Sequence, residues 1–435
     1  MSDRQLMLVP GGTSPGAVTM TYAAMHKLWE FYEDEERTGV PRGHRIIVAP
    51  RPMEECLPPV AERSNAALQG RIDHVDPSTD IIIETSGSSS GTPHLVGLSY
   101  AACVASARAT HQALGGPGRW VVALPVHHIA GLLTLIRCCV AETSPVIADM
   151  THGFDAEALE RACRTVITSR DTVDGSPRSE GKCGSRAYLS LVAKQLRDAL
   201  DVGGTLIEAL AALDAILVGG SAIDPALCDR ARAAGVRIVT TYGMTETCGG
   251  CVYDGRTNDG TRVHIEPVTG RIMITGPTLM DGYVDIARTP QFSDIDGQRW
   301  LTTGDLGVID NGVLRVTGRA DDVIVSGGIN VVPARVEAVI ADLPEVSDVA
   351  VVPIADDTWG QIAAALVVPV GDSVSLDDLA ERIRSRVGDA LGRDHAPRLI
   401  VTTDSIARTS LGKTIRPKAI DTLTHARGSA RAWER

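Results

Sequence analysis

The chain has 435 residues, of which 44% are hydrophobic and 22% are charged, and its formal net charge at pH 7 is −12. This length can bury a large core and favours two or more domains. The acidic balance argues against nucleic acid as a partner. No basic segment followed by an apolar run opens the chain, and no apolar stretch approaches about 18 residues. We therefore predict a cytoplasmic protein without a membrane span.

Nine cysteines form no regular framework, and an odd number in a long chain indicates reduced thiols. Cys248 and Cys251 form a single CxxC pair. A zinc or redox role would need a second pair or a thioredoxin-like context. We therefore interpret these cysteines as small residues that line a pocket.

Short apolar runs alternate with alanine-rich helical patterns over the first two thirds of the chain. Buried strands are predicted at 81–86, 119–125, 144–150, 213–220, 236–243 and 271–277, and helices at 101–114, 155–166 and 225–235. Strand and helix in alternation predict parallel βα units. The polar, glycine-rich segment 168–186 is predicted to be a mobile surface loop.

From about residue 295 the pattern changes to short strands with polar turns, which predicts antiparallel pairing and a boundary near Asp321. Helices around 333–342 and 376–391, with strands around 347–354 and 362–369, predict a small α+β domain. We expect an α/β fold with a large N-terminal domain (1–320) of parallel βα units and a β-rich subdomain. A mobile C-terminal domain (321–435) completes it.

A small-residue loop, TSGSSSGTPH at 85–94, follows a predicted strand and precedes a helix predicted to begin near Ser99. Small residues let successive backbone N–H groups and hydroxyls surround phosphate oxygens. In isolation the same pattern is typical of an ordinary turn, and it lacks the GK[ST] ending of a Walker loop.

Three further motifs carry groups that suit a nucleotide. In TYGMTET (241–247), Tyr242 offers a ring for a base, Thr245 a hydroxyl for phosphate, and Glu246 a carboxylate for Mg²⁺. In TTGDLG (302–307), Asp305 is expected in a tight turn, where it could bind both hydroxyls of a ribose or form only an Asx-turn. Arg319, in GRADD (318–322), lies where the composition changes and could be a ligand contact and a hinge.

The order of the motifs is more specific than any one of them. In sequence order they are TSGSSSGTPH, LPVHHIAG (124–131), LVGGSAI (217–223), TYGMTET, TGDLG, GRADDVIVSGGINVVPARVE (318–337) and RTSLGK (408–413). From about residue 80 to 420 this set resembles the adenylate-forming superfamily of acyl- and aryl-CoA synthetases, nonribosomal adenylation domains and luciferases. With AYLSLVAKQL (187–196) and TTYGMTETCGGCVYDG (240–255), the chain looks most like the actinobacterial o-succinylbenzoate–CoA ligases of menaquinone biosynthesis.

The resemblance implies a ligase that uses ATP, Mg²⁺ and coenzyme A in two steps. In the first step a substrate carboxylate attacks the α-phosphorus of ATP and gives acyl-AMP and pyrophosphate. Lys413 would approach the carboxylate and the α-phosphate, Glu246 would bind Mg²⁺, and Thr245 would lie beside the phosphates. Pyrophosphate would be held by the loop residues Thr85, Ser86, Gly87, Ser88, Ser89, Ser90 and Gly91. Adenine would lie between Tyr242–Gly243 and the turn of Gly219, Gly220 and Ser221, with Asp305 and Arg319 at the ribose.

In the second step the resemblance implies that the C-terminal domain rotates about Asp321, so that the CoA thiol can reach the carbonyl. Gly327 and Gly328, in SGGIN (326–330), would let pantetheine pass close to the backbone. His128 would lie near the acyl and pantetheine channel, although a buried histidine that only satisfies hydrogen bonds is a comparable alternative.

Two departures from the family pattern qualify this assignment. The segment before residue 80 is short for the superfamily. The loop ends in Pro93-His94 instead of the usual Pro-Lys, so a permanent charge near the phosphates is replaced by a group that titrates near neutrality. We expect weaker or more pH-sensitive pyrophosphate handling, and a degraded nucleotide-binding homologue stays an alternative.

The resemblance implies that the substrate is a small carboxylic acid. It also implies that the acyl pocket is lined near 128–135, 189–196, 218–222 and 242–252, and these segments are mostly small or apolar, which favours a flat aromatic ring. The second carboxylate of o-succinylbenzoate could be received by Ser190, Lys194 or Gln195. Another benzoate or small-acid CoA ligase, and an adenylating enzyme that loads a carrier protein, are the alternatives. The sequence leaves the oligomeric state open, with a homodimer as one possibility.

Overall fold

A computed structural model describes residues 4–40, 46–57, 60–72, 75–85, 94–170, 172–173, 176–177, 186–284, 292–371, 374–409 and 412–434. The chain divides into two compact units. The first consists of Met1–His264 and Met273–Thr302, and the second of Ile265–Ile272 and Thr303–Arg435. Each unit has hydrophobic clusters of its own.

Strands and helices alternate through most of the chain. In chain order the first strands are β1 (Gln5–Pro10), β2 (Ile46–Arg51), β3 (Ile81–Glu84), β4 (Leu95–Leu98), β5 (Gly118–Val122), β6 (Val146–Ile147), β7 (Thr172–Val173), β8 (Ser176–Pro177), β9 (Arg186–Val192), β10 (Ala215–Gly219), β11 (Ile238–Met244), β12 (Gly249–Tyr253) and β13 (Arg256–Thr257). They are followed by β14 (Arg262–Ile265), β15 (Arg271–Thr275), β16 (Gly282–Tyr283), β17 (Phe292–Ile295), β18 (Gln298–Asp310), β19 (Val313–Arg319), β20 (Ile324–Ser326), β21 (Ile329–Val331), β22 (Val346–Asp356), β23 (Gly360–Pro369), β24 (Leu399–Thr402) and β25 (Ala432–Glu434). The helices are α1 (Pro15–Thr38), α2 (Val60–Gln69), α3 (Tyr100–Ala113), α4 (Ile129–Val140), α5 (Ala156–Arg170), α6 (Ala193–Val202), α7 (Gly204–Ala211), α8 (Pro225–Ala233), α9 (Pro333–Ala341), α10 (Leu376–Leu391) and α11 (Arg416–Ala426).

A seven-stranded sheet is the centre of the first unit. Its order is β13-β12-β11-β10-β9-β5-β6, and the five strands from β11 to β6 run parallel. On one face, Leu189, Ile216 and Val218 pack against helices α5 to α8. On the other face, Trp120, Tyr188 and Leu217 form a second cluster. Because both faces are covered, the central strands β5, β9 and β10 are largely apolar, as their sequences predict.

A second sheet of the first unit has the order β1-β2-β3-β4-β16. Strands β1, β2 and β3 run parallel, whereas β4 is antiparallel to both β3 and β16. The helix predicted to begin near Ser99 is confirmed, since α3 begins at Tyr100 with Ser99 as its N-cap. Strand β4 was not predicted and lies between the 85–94 loop and this helix, so the loop connects two antiparallel strands.

The second unit is built on a sheet of order β21-β20-β23-β24-β25, with β22 also paired to β23. Alternate residues of β22 face opposite sides, as strand geometry requires. Val349 and Val351 contact the cluster of α9 and α10, whereas Ala350 and Val352 contact that of α11. The predicted helices and strands after residue 330 are confirmed.

Asp305 lies within the long strand β18, where it pairs in register with Arg319 of β19. The expectation of a tight turn at this position is wrong. The two glycines that suggest a turn, Gly304 and Gly307, instead lie in the strand with side chains packed against them, since a Cβ would lie 2.7 Å from Arg319 Nη2 in one case and 2.8 Å from Ile272 Cγ1 in the other.

The α/β fold class is confirmed by these sheets. The compact units divide at Thr303, whereas the predicted hinge at Asp321 concerns motion and stays a prediction. Most of the predicted mobile loop at 168–186 lies outside the described residues. No helix in the described part of the chain is long and apolar enough to cross a membrane.

Candidate active site

The carboxyl ends of β10 and β11 bring two predicted adenine-binding segments together. The strands are adjacent and parallel, with Val218 opposite Thr240. At the end of β10, a Cβ on Gly219 would lie 2.2 Å from Thr241 Oγ1, so only glycine fits. Gly220 follows with a φ of +87°, which also favours glycine. The sequence pattern at 217–223 is thus explained by close contact with β11.

Strand β11 carries Tyr242 and Gly243 against the antiparallel strand β12. The register shifts between these two residues, and a Cβ on Gly243 would lie 2.0 Å from the carbonyl oxygen of Gly249. Tyr242 is half-buried, as is Ser221. A ring and a glycine-rich turn therefore lie at neighbouring strand ends, which is the arrangement expected for a base-binding edge.

Glu246 is held in a fixed position. It lies in a 3₁₀ turn, Thr245–Thr247, that directly follows β11 and in which Thr245 is buried. The hydroxyl of Tyr283 donates to Glu246 Oε1 at 2.9 Å, and the Met280 amide donates to the Glu246 carbonyl at 2.8 Å. These bonds fix the carboxylate from both its side chain and its backbone.

The ends of the predicted phosphate loop are joined to each other. The Thr85 amide donates to the His94 carbonyl at 2.7 Å, and the His94 amide donates to Thr85 Oγ1 at 3.1 Å. The His94 ring lies 6.2 Å from the Tyr283 ring between centroids. The base of the loop is therefore next to the residue that holds Glu246. The predicted residues Ser86, Gly87, Ser88, Ser89, Ser90 and Gly91 lie outside the described residues.

The residue before this loop is tied to the neighbouring strand. The buried guanidinium of Arg51, at the end of β2, pairs with the carboxylate of Glu84, at the end of β3. The pair joins the ends of two parallel strands, and Glu84 immediately precedes Thr85 in the sequence. Because the Arg51 side chain is buried and Glu84 is only partly exposed, the pair restricts both side chains more than a fully exposed pair does.

Two adjacent histidines precede α4. Their rings lie 4.3 Å apart, and His128 occupies the N-cap position of the helix. Burial, with a smaller contribution from the charge of Arg51, lowers the pKa of His127 to about 4. His127 is therefore neutral near pH 7. The predicted role of His128 in the acyl channel stays a prediction.

The structure separates the three candidates for a second substrate carboxylate. Lys194 pairs with Asp198 at 2.6 Å on the helix surface. The Gln195 amide bonds the Val192 N–H and the Ala123 carbonyl, so it caps α6. Ser190 is 6% exposed, and its hydroxyl has no hydrogen-bond partner among the described residues. Ser190 alone of the three has unused hydrogen-bonding capacity in the interior.

The cysteines of the CxxC pair are both buried. The Cys103 thiol lies 3.8 Å from that of Cys248, and this hydrogen bond together with burial raises the pKa of Cys248. The eight cysteines of the described chain are free thiols. No group of three or more His, Cys, Asp or Glu side chains within the described ranges is arranged to hold a metal ion. The interpretation that these cysteines line a pocket stays a prediction.

In the second unit, Asp305 and Arg319 form an ion pair. Arg319 Nη1 lies 2.9 Å from Asp305 Oδ1, and Asp305 is only 8% exposed. Arg319 also lies within 4.0 Å of the carboxylates of Asp321 and Asp322. A ribose-binding carboxylate would therefore be oriented by an arginine that is itself held by the predicted hinge segment.

Gly327 and Gly328 form the turn between β20 and β21. Their φ angles are +55° and +83°, which a two-residue hairpin turn of this type requires. A Cβ on Gly327 would lie 2.4 Å from the Trp359 ring, so the ring covers this side of the turn. The backbone at Gly328 has open space beside it.

Lys413 lies on a short hairpin. Arg408 and Thr414 form an antiparallel bridge, and the Thr409 amide donates to the Lys413 carbonyl at 2.8 Å. The Lys413 amide donates to Thr409 Oγ1 at 3.2 Å. The backbone of Lys413 is therefore held in place by two hydrogen bonds to Thr409.

Sequence reasoning assigned no role to Tyr283, Arg51 or Arg408. Each bonds a residue that is distant in the chain, Glu246, Glu84 and Asp348 respectively. The sequence signals were the place of Arg408 at the start of the RTSLGK motif and the position of Arg51 and Glu84 at the ends of apolar runs, where functional residues collect in parallel sheets.

Comparison with protein families gives two matches. A family described as AMP-binding enzyme matches residues 18–284. A family described as AMP-binding enzyme C-terminal domain matches residues 335–413. The two matched ranges include the motifs around Glu246 and Lys413.

Individual relatives agree with these matches. A probable 2-succinylbenzoate–CoA ligase of Mycobacterium tuberculosis is 39% identical over 378 residues, which cover 86% of this chain and 92% of that protein. A 2-succinylbenzoate–CoA ligase of Staphylococcus epidermidis is 28% identical over 356 residues, which cover 78% and 68%. The o-succinylbenzoate CoA synthetase of Bacillus subtilis, solved with the acyl-adenylate intermediate, has the same fold, with a TM-score of 0.67 at 20% identity over 96% of both chains. The chain belongs to the AMP-binding enzyme family.

Proposed function

We propose that this protein is an AMP-forming acid–CoA ligase that converts o-succinylbenzoate to its CoA thioester. The observation that carries the proposal is the cluster of Glu246, Tyr283, Thr85 and His94, which combines a fixed carboxylate with the base of a phosphate-type loop. The specific acid is supported by the M. tuberculosis relative, a probable 2-succinylbenzoate–CoA ligase.

In the adenylation step the substrate carboxylate attacks the α-phosphorus of ATP and pyrophosphate leaves. The protein forms no covalent bond in this step, so catalysis depends on positioning and on neutralising negative charge. Lys413 neutralises charge on the carboxylate and α-phosphate, and the loop from Thr85 to Gly91 holds pyrophosphate. Tyr242, Gly243 and the turn of Gly219, Gly220 and Ser221 bind adenine, while Asp305 and Arg319 bind the ribose.

Glu246 is the residue that would hold Mg²⁺. Magnesium is commonly bound by one or two protein carboxylates together with substrate phosphates and water. Glu246 Oε1 accepts from Tyr283, and a carboxylate has further lone pairs available for a cation. When bound, Mg²⁺ supplies positive charge that offsets the charge of the phosphates.

In the thioester step the thiol of CoA attacks the acyl-adenylate carbonyl and AMP leaves. We infer that the C-terminal domain rotates about Asp321 between the two steps. Gly327 and Gly328 then border the path of pantetheine, and His128 lies near the acyl group. The open space beside Gly328 supports this assignment, because a close backbone approach needs an uncovered glycine.

The second carboxylate of the substrate requires a polar receptor in an otherwise apolar pocket. Ser190 is the candidate with an unused buried hydroxyl, whereas Lys194 and Gln195 are engaged elsewhere. A buried hydroxyl without a partner is costly, and a bound ligand would satisfy it. A homodimer and a cytoplasmic location stay predictions.

The proposed reaction is tested by mass spectrometry of products formed from MgATP, CoA and a panel of acids that includes o-succinylbenzoate and simple benzoates. We expect o-succinylbenzoyl-CoA and AMP as the dominant products. Another acyl-CoA would keep the mechanism and change the substrate. Acyl-AMP without thioester would indicate a carrier-protein acceptor, and no product from any acid would indicate a degraded site in which His94 does not replace the usual lysine.

The role of Lys413 predicts that Lys413→Ala abolishes adenylation and leaves MgATP binding nearly unchanged. The lysine supplies charge at the reacting carboxylate, where its effect is on the transition state. Pyrophosphate release and calorimetric MgATP titration measure the two properties. Equal pyrophosphate release by the variant and the parent would contradict the assignment.

The Tyr283–Glu246 hydrogen bond predicts a magnesium effect. Tyr283→Phe removes the donor that orients the carboxylate, and loss of such a partner typically weakens metal binding by about 10-fold or more. We therefore expect the Mg²⁺ concentration for half-maximal rate to rise about 10-fold at saturating ATP. Tyr32→Phe is a matched control, because Tyr32 donates to Glu36 at 3.1 Å on the exposed face of α1. An identical Mg²⁺ dependence in Tyr283→Phe and the control would contradict a role for this bond.

A further inference from the structure

The Lys413 hairpin, which is closed by the bridge between Arg408 and Thr414, is bonded to the sheet of the second unit by the guanidinium of Arg408. Arg408 Nε lies 3.1 Å from Asp348 Oδ2, and Nη2 lies 2.5 Å from Asp348 Oδ1. This is a two-pronged pair with a residue of β22, the geometry in which arginine and carboxylate bind most specifically. Both side chains are roughly two-thirds shielded, with exposed fractions of 28% and 31%.

The third nitrogen of the same guanidinium points at the hairpin itself. Arg408 Nη1 donates to the Gly412 carbonyl at 3.1 Å and to Thr414 Oγ1 at 3.0 Å. These two residues flank Lys413 in the sequence. Arg408 therefore links the residue before Lys413, the residue after it, and the central sheet in one set of hydrogen bonds.

A second arginine anchors the other end of the hairpin. Arg416, the first residue of α11, lies 2.6 Å from Asp322 Oδ2 in the predicted hinge segment. Glu337 of α9 accepts from the Val351 amide at 2.8 Å and interacts electrostatically with both arginines. The hairpin is thus anchored to β22 before Lys413 and to the 320–322 turn after it.

We propose that Arg408 and Asp348 are positioning residues that fix the Lys413 hairpin for the adenylation step. The inference rests on the proposed function of Lys413. A flexible lysine side chain on a loose loop would neutralise charge at the α-phosphate for only part of the time. Because Arg408 fixes both neighbours of Lys413, the ammonium group explores a smaller volume, and less entropy is lost when it contacts the reacting groups.

Arginine is required at this position because its five donors lie in a rigid plane. A lysine could bond Asp348 or the hairpin at one time but could not bridge the two in the same fixed geometry. Asp348→Asn would keep the shape of the pair and remove its charge. The effects of Arg408→Gln and Asp348→Asn on the adenylation rate should therefore be non-additive in a double-mutant cycle.

The test measures the two half-reactions separately in the full-length protein. Adenylation is followed by pyrophosphate release from MgATP and o-succinylbenzoate, and thioester formation by CoA consumption with supplied o-succinylbenzoyl-adenylate. Small displacements of catalytic groups can cost about 100-fold in rate. We expect Arg408→Gln and Asp348→Asn to slow adenylation by about 10- to 100-fold, with thioester formation changed less than about twofold. Arg408→Lys should slow adenylation by a smaller factor, again without affecting the second half-reaction.

Arg427→Gln is the matched control, since Arg427 lies in the same unit and its ion pairs are with Glu434 and Asp356, outside the Lys413 hairpin. It should leave both half-reactions unchanged. A parallel loss of both half-reactions in Arg408→Lys and Arg408→Gln would show a role in folding only and would overturn the inference, as would unchanged adenylation. Full adenylation by Lys413→Ala would remove the proposed role of Lys413 on which this inference rests and would leave the ligase function standing, whereas loss in Lys413→Ala with normal adenylation in Arg408→Gln would remove only this inference.

Discussion

An acidic protein that binds a triphosphate must collect its positive charge and its hydrogen-bond donors at one place. The net charge of −12 gives no general attraction for a polyanion, so affinity must come from backbone amides, hydroxyls and a few cations. The proposed phosphate loop has the serines and glycines that can supply such donors. Its described ends, Thr85 and His94, are joined by two hydrogen bonds, which fix the base of the loop.

The proposed functional carboxylates are each oriented by one polar partner. Tyr283 holds Glu246 in the first unit, and Arg319 holds Asp305 in the second. A neutral hydroxyl beside Glu246 leaves the negative charge available for a cation. An arginine beside Asp305 offsets its charge, which suits a carboxylate that only accepts hydrogen bonds from a sugar. The choice of partner therefore follows the chemical task proposed for each carboxylate.

The sequence predicts strands such as β3, β5, β10 and β11 and five of the eleven helices of the described chain, α3, α5, α8, α9 and α10, because their apolar patterns depend on burial. It is less successful where a residue is chosen for a distant contact. Gly304 and Gly307 suggest a turn around Asp305, but they are glycines because Arg319 and Ile272 pack against the strand at those points. Strand β4 escaped prediction because LVGL is only four residues long and contains a glycine.

The candidate site shows the same division. Motif order identifies Glu246, Asp305, Arg319 and Lys413, since these residues carry the chemistry. Tyr283 lies 37 residues from Glu246, which it bonds, and Asp348 lies 60 residues from Arg408, which holds the Lys413 hairpin. No local sequence pattern predicts such distant pairs. The fold is needed to find them.

The most direct test of the central claim is oxygen transfer from the acid to AMP. With o-succinylbenzoate labelled by ¹⁸O in the reacting carboxylate, attack on the α-phosphorus must leave one labelled oxygen in AMP when CoA displaces it. We predict AMP that carries one ¹⁸O and unlabelled pyrophosphate. Unlabelled AMP, or label in inorganic phosphate with formation of ADP, would contradict an acyl-adenylate intermediate.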